Sequence, residues 1–370
     1  MELKLGYKQT EAGVIPEDWQ VVKVGEISQI GRGRVISHRE ISASRHSSYP
    51  VYSSQTTNSG VMGYIDTYDF EGEYITWTTD GVNAGTVFHR NGRFNCTNVC
   101  GTMKPHRQDA IFLAKVLNTL TLRYVSRNLA NPKLMNDVFK QILVPLPSLP
   151  EQHAIATALS DMDALLVAQD QLIAKKHDIK QAVMQQLLTG KQRLPGFSGE
   201  WEVKRLGDVL KVRHGKSQQS IIANNGKYPV LATGGEIGRT NHFVYDKPSV
   251  LIGRKGTIDA PQYVNTPFWT IDTLFYTEIA SAADPKFIFY KFNMINWRSY
   301  NEASGVPSLN ASTIEKIDIT CPEHDEQSAI AAVLSDMDAE IDVLQQRRDK
   351  TQMLKQGMMQ ELLTGRTRLV

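Results

Sequence analysis

The chain has 370 residues, 41% of them hydrophobic and 22% charged, which excludes a disordered or fibrous protein and leaves length for two domains with separate cores. The formal net charge of +2 excludes a histone-like polycation, although a local basic strip can still meet nucleic-acid phosphates. No apolar run of about 18 residues occurs, so nothing is predicted to span a membrane.

The opening stretch, MELKLGYKQTEAG, lacks the apolar core of a signal peptide. Three cysteines, Cys96, Cys100 and Cys321, form an odd and sparse set that argues against a disulfide framework. A reducing compartment, the cytoplasm, is the expected location.

Taken in chain order, residues 1–150 predict a first globular domain. It is entered through VIPEDWQVVKVGEI around Trp19, and Arg32, Arg34, Arg39 and Arg45 cluster with His38 and His46 in a Gly/Ser-rich stretch just beyond. The segment ITWTTDGVNAGTVFHRNGRFNCTNVCGTM reads as short strands punctuated by Gly and Asn. A short helical stretch, IFLAKVLNTL, follows, and then NPKLMN, which carries Lys133.

Residues 151–190 predict one long helix. Ile155, Leu159, Met162 and Leu166, then Ile173, Val183 and Leu187, keep steps of three and four, the pattern of a seam between packed helices. Gln169, Lys176 and Lys180 interrupt the seam with polar groups, which lower stability and can fix register. Thr189-Gly190 supplies a glycine stop.

Residues 191–325 predict a linker and a second domain, entered through FSGEWEVKRLGDVL around Trp201. Lys211, Arg213, Lys216 and Gln218 follow this entry, and Arg254-Lys255 lies later, on an expected strand-to-loop turn. Residues 326–370 repeat the helix, with Ile330, Leu334, Met337 and Ile341 in the seam, Arg348 and Lys355 interrupting it, and Thr364-Gly365 as the stop.

The repeat organises the chain. Glu151–Leu194 overlays Glu326–Leu369 at a constant offset of 175 residues, without a gap and with about half the positions identical. Inside the domains the likeness thins to anchors: YPV at Tyr49 and Tyr228, and NPKLMN at Asn131 against VPSLNA at Val306. The expected fold class is α+β: two mixed, strand-rich domains separated by two long antiparallel coiled-coil helices, with pseudo-twofold internal duplication. About 38 helical residues at 1.5 Å each would make a rod of roughly 57 Å, a ruler between the domains.

Catalytic motifs are missing. A phosphate loop would need a glycine where Leu210 stands ahead of Gly215-Lys216-Ser217, and Gly31-Arg32-Gly33-Arg34 falls short of a dinucleotide fingerprint. The NPPY type of adenine methyltransferase signature is absent. His89, Cys96, Cys100 and His106 do not have finger spacing, and the second copy is apolar near Ile271 and Phe275, so the cysteines are expected to pack as small hydrophobes and no metal site is expected. What recurs in both copies is a basic, Gln/Asn/Ser-rich loop set, suited to phosphates and base edges. The DNA-binding candidates are Arg32, Arg34, Arg45, Lys133, Lys211, Arg213, Lys216, Gln218, Arg254 and Lys255.

With these residues in view, the chain resembles the specificity subunit of type I restriction–modification systems. GVIPEDWQVVKVGEI, LPSLPEQHAIATALSDMDALL, QQLLTGKQRLPGFSGEWEVKRLGDV, GRKGTI, SGVPSLN, CPEHDEQSAIAAVLSDMDAEI and QELLTGRTRL carry the likeness over essentially the whole chain. The resemblance implies two target recognition domains, each reading half of a split target in double-stranded DNA. It also implies helices that set the gap and dock two methyltransferase subunits, with restriction (nuclease-translocase) subunits joining them. Catalysis, S-adenosylmethionine, ATP and Mg would then belong to those partners, with no cofactor on this chain. The seam positions named above are the candidate docking residues. The C-terminal TGRTRLV is expected near the N-terminal GVIPEDW, mimicking the covalent join TGKQRLPGFSGEW. A two-headed protein-binding scaffold is the alternative, and it leaves the basic loops without a task.

Overall fold

A computed structural model of the protein describes residues 5–46, 48–126 and 131–369. Two compact units are present, Met1–Gln169 with Arg347–Val370, and Asp170–Gln346. Two helices of 39 residues, Leu149–Leu187 and His324–Leu362, each contribute to both units.

In the first unit a four-stranded antiparallel sheet runs in the order Ser28–Arg32, Cys100–Pro105, Tyr74–Thr78, Val87–Arg90. Tyr74–Thr78, YITWT, has the β-branched and aromatic content of a buried strand, and four of its five residues are buried. Trp77 stacks on Phe139 with ring centroids 3.7 Å apart. Its buried indole N–H is satisfied by donating to Leu134 O at 3.0 Å. Asp109 starts the helix Ala110–Leu120 by accepting from Phe112 N at 2.8 Å. Phe112, Leu113, Val116 and Leu117 of that helix fill the core. A mixed sheet orders Val61–Ile65, Tyr49–Tyr52, Arg93–Cys96 and Phe70–Glu71, with the two middle strands parallel. Cys96 and Cys100 are buried there beside Phe94.

The second unit repeats this plan. Its four-stranded sheet runs Leu210–His214, Leu274–Ile279, Ser249–Gly253, Gln262–Val264. Tyr228–Ala232 lies parallel to Trp269–Thr270, as Tyr49–Tyr52 does to Arg93–Cys96, so the two YPV anchors open the same strand. Asp284 caps the helix Pro285–Met294, accepting from Lys286 N and Phe287 N at 2.9 Å.

Within each unit the long helices run antiparallel. In the first, Asp163 meets Lys355 at 2.5 Å and also Lys115, and Gln169 Nε2 donates to Thr351 Oγ1 at 3.2 Å. In the second, Lys176 meets Glu340 at 2.6 Å and Lys180 meets Asp338. The polar interruptions Gln169, Lys176, Lys180 and Lys355 are therefore paired across the seam, which holds the register. Ile155 and Leu159 pack with Leu362 and Leu363, and Ile330 and Leu334 with Leu187 and Leu188.

Each helix stops at a left-handed glycine, Gly190 and Gly365, both at φ +71°. Beyond each stop an arginine reaches a buried glutamate at a helix start. Arg193 pairs with Glu326, which also accepts from Trp201 Nε1 at 3.2 Å. Arg368 pairs with Glu151, which accepts from Trp19 Nε1 at 3.1 Å. Arg368 also holds Asp18 at 2.7 Å, and Tyr7 donates its hydroxyl to Gly365 O at 3.0 Å. The C-terminal TGRTRL thus meets GVIPEDW in the first unit as the covalent join does in the second. Val370 and the first four residues lie outside the described residues.

Candidate nucleic-acid interface

In the first unit three segments meet at one end of the antiparallel sheet: the end of Ser28–Arg32, the turn Thr79-Asp80-Gly81 and the loop 131–134. Backbone hydrogen bonds fix them, with Leu134 N donating to Thr79 O at 2.9 Å, Gly81 N to Pro132 O at 3.0 Å and Thr79 N to Val99 O at 3.0 Å. The second unit has the same frame. Leu309 N donates to Arg254 O at 2.9 Å, Gly256 N to Pro307 O at 2.9 Å and Arg254 N to Thr273 O at 2.8 Å. Asp80 bridges to Lys133 as Lys255 bridges to Ser308. The 175-residue offset of the helices therefore persists at the turn and the loop of this sheet end, while Val99 and Thr273 are 174 residues apart.

The side chains on the two frames differ. Arg32 donates Nε to Asn98 O at 2.5 Å, and its Nη2 lies 3.2 Å from Asp80 Oδ2. Lys133 Nζ stands 3.6 Å from Asp80 Oδ1, so one carboxylate gathers two of the candidate cations. In the second unit Arg254 donates Nε to Asp272 O at 2.8 Å, and Lys255 is exposed.

The other candidates lie elsewhere. Arg34 forks onto Glu40, at 2.6 Å, and Asp69, at 2.9 Å. Glu40, ahead of Asp69, holds its guanidinium above the ordinary arginine range. Arg213 is paired with Glu278 at 2.8 Å. Lys211 Nζ donates to Gly207 O at 3.0 Å. Arg45 and Lys216 are exposed and Gln218 half-buried. Phosphates would have to compete with carboxylates at Arg32, Arg34, Lys133 and Arg213, whereas Lys216 and Lys255 present their charge to solvent. Two glycines keep these strand ends close. A Cβ on Gly33 would fall 2.2 Å from Cys96 O, and one on Gly215 would fall 1.9 Å from Ile271 O.

The seam positions are taken up largely inside the protein. Ile155, Leu159, Leu166, Ile330, Leu334 and Ile341 are buried and Met162 and Met337 half-buried. The apolar helix surface left exposed comprises Leu149, Leu165, Val167, Leu172, Ile179, Val343, Met353 and Leu354. Met353 and Leu354 border a groove with Ala158, Gly357, Met358 and Leu369. Among the described residues no cluster of three or more His, Cys, Asp or Glu is arranged to hold a metal ion, and no helix is long and apolar enough to cross a membrane. Glu151, Glu326, Arg193 and Arg368 belong to no catalytic or binding motif in the sequence, and their one signal there is identity between the repeats, Glu151 with Glu326 and Arg193 with Arg368.

The family model for the type I restriction modification DNA specificity domain matches twice, over residues 16–175 and 198–352. A type I specificity subunit of Mycoplasma pneumoniae, S.MpnORF507P, is 30% identical over 325 residues, covering 84% of this chain and 87% of its own. The N-terminal part of a second, S.MpnORF289P, is 44% identical over 139 residues, 37% of this chain and 74% of that one. The crystal structure of a type I restriction-modification S subunit from M. genitalium superposes with a TM-score of 0.70 over 98% of both chains, at 15% identity, and so shares the fold. With its family model matched twice, the chain belongs to the type I restriction modification DNA specificity family.

Proposed function

We propose that this chain is the DNA-reading subunit of a type I restriction–modification complex, and that each unit reads one half of a bipartite duplex target. The observation that carries the reading is the repeated frame with exchanged contents. Equivalent backbone bonds hold the same turn in both units, while the positions of Thr79-Asp80 in one are taken by Arg254-Lys255 in the other. A fixed scaffold presenting different side chains suits recognition of two different sequences.

In this reading Lys216, Lys255 and the loop arginines meet phosphates, which position each unit, and side chains at the turns meet base edges, which specify the sequence. The long helices set the gap between the half-sites. Their exposed apolar residues, with the groove at Met353 and Leu354, dock two methyltransferase subunits, to which restriction subunits are added. Methyl transfer and cleavage, with S-adenosylmethionine, ATP and Mg, are the work of those partners, and this chain acts by binding alone.

The test is duplex binding by the chain co-purified with its methyltransferase subunit, measured across a salt series. Sequence-preferring binding whose logarithm falls linearly with the logarithm of salt concentration is expected. Binding that is absent at low salt would instead favour the protein-binding scaffold.

A further inference from the structure

In each unit one guanidinium donates its Nε to the carbonyl of the turn leading into the strand next to the sheet edge. Arg32 donates to Asn98 O and Arg254 to Asp272 O. The two carbonyls are equivalent, because the following carbonyls, Val99 O and Thr273 O, accept from the equivalent amides Thr79 N and Arg254 N. The two arginines are not equivalent in sequence. Arg254 occupies the position of Thr79, and the position of Arg32, just before the crowded glycine, is held by His214. His214 packs edge-on to Phe275 with centroids 4.9 Å apart.

The same guanidinium position is thus filled from two different strands. Packing does not require this, since both arginines reach solvent. A ligand common to both units would account for it. The flanks differ in sign: Asp80, which accepts from Arg32, stands where Lys255 stands. Arg254 keeps both Nη groups without a protein partner among the described residues. A guanidinium with Nε anchored and both Nη free presents the fork that matches O6 and N7 of guanine in the major groove.

Resting on the DNA-reading function above, we propose that Arg32 and Arg254 are the corresponding base-reading residues of the two units, and that Arg254 specifies a guanine. Lys255 adds a second donor beside it. Asp80 places an acceptor at that position in the first unit and so disfavours guanine there.

The experiment is genome-wide mapping of methylated adenines with the chain and its methyltransferase subunit co-expressed, for the wild type, Arg254→Gln, Arg254→Lys and Arg32→Gln. In the wild type one half of the motif contains the guanine. Both Arg254 variants should lower the preference for guanine at that single position by about 10- to 100-fold and leave the other half-site unchanged, which also shows that the variant subunits fold and assemble. Arg32→Gln should alter one position in the other half-site only. The proposal is overturned by an unchanged motif, by an even fall in methylation at all sites (the mark of a phosphate contact), by a changed position that is not G·C for Arg254, or by both arginines mapping to one half-site. If the wild type itself gives no bipartite motif, the DNA-reading function fails, which is a separate result.

Discussion

The guanidinium of Arg368 grips the carboxylate of Glu151 across 217 residues of sequence, with Nε 2.5 Å from Oε1 and Nη2 2.8 Å from Oε2. Glu151 is fully buried at the start of one long helix, and Arg368 lies just past the end of the other. Removing one partner of a buried pair strands the other charge. Arg368→Ala is therefore expected to destabilise the first unit by about 3 kcal/mol or more. Chemical denaturation should show it, and Arg193→Ala should destabilise the second unit in the same direction by leaving the buried Glu326 without its partner.

The position equivalent to Val116 in the second unit is Lys291, whose ammonium is buried and donates to Leu188 O at 2.8 Å and to Thr320 Oγ1 at 3.2 Å. Leu188 follows the last helical residue, where carbonyls lack helical partners. Burial pushes the Lys291 ammonium down to about 8. Below that pH both folded and unfolded chains hold the proton, and the cost of burying charge is fully present. From about 8 up to 10.5, the folded chain has released a proton that the unfolded chain retains, so this group's contribution rises with pH. Unfolding free energies of the wild type should gain on Lys291→Met across that window, by about 3 kcal/mol in total. A difference independent of pH would refute the assignment.

Gly33 and Gly215 sit where a methyl group would enter a backbone carbonyl. Overpacking of this kind costs about 1–3 kcal/mol. Gly33→Ala and Gly215→Ala should each lower the melting temperature and, through Arg32 or His214 beside them, weaken recognition of one half-site. Matching losses from the two variants are expected in a thermal melt of the complex.

The long helices separate stability from docking. Leu334 is fully buried, so Leu334→Ala should cost about 2–5 kcal/mol. Met353 is 65% exposed, so Met353→Asp should change stability by no more than about 0.5 kcal/mol while weakening capture of the methyltransferase subunit in a pull-down. Undiminished capture would move the docking surface away from this groove.

The helices were legible because their packing is written in side chains: the three-four spacing of Ile155, Leu159 and Leu166, and its copy at Ile330, Leu334 and Ile341. The shared frame of the two sheet ends was not, because it is made by backbone groups, such as Leu134 N on Thr79 O, which leave the side chains free to diverge. Only NPKLMN and VPSLNA marked it in the sequence. The Arg368–Glu151 pair was hidden for another reason. A glutamate at a helix start and an arginine near a chain end read as solvated charges, and only the fold buries one against the other. Arg34 and Arg213 read as free cations because their acidic partners are supplied by the fold: Glu40 from the short helix His38–Ala43, Asp69 from a loop and Glu278 from the neighbouring strand.

The most direct measurement is the adenine-methylation map of a genome in which this chain and its methyltransferase subunit are expressed together, with residues 198–322 exchanged for those of a relative in a parallel culture. A single split motif is expected, of which the exchange changes one half and leaves the other half and the methyltransferase unaltered. A motif unaffected by the exchange, or one altered in both halves at once, would contradict the reading of one half-site by each unit.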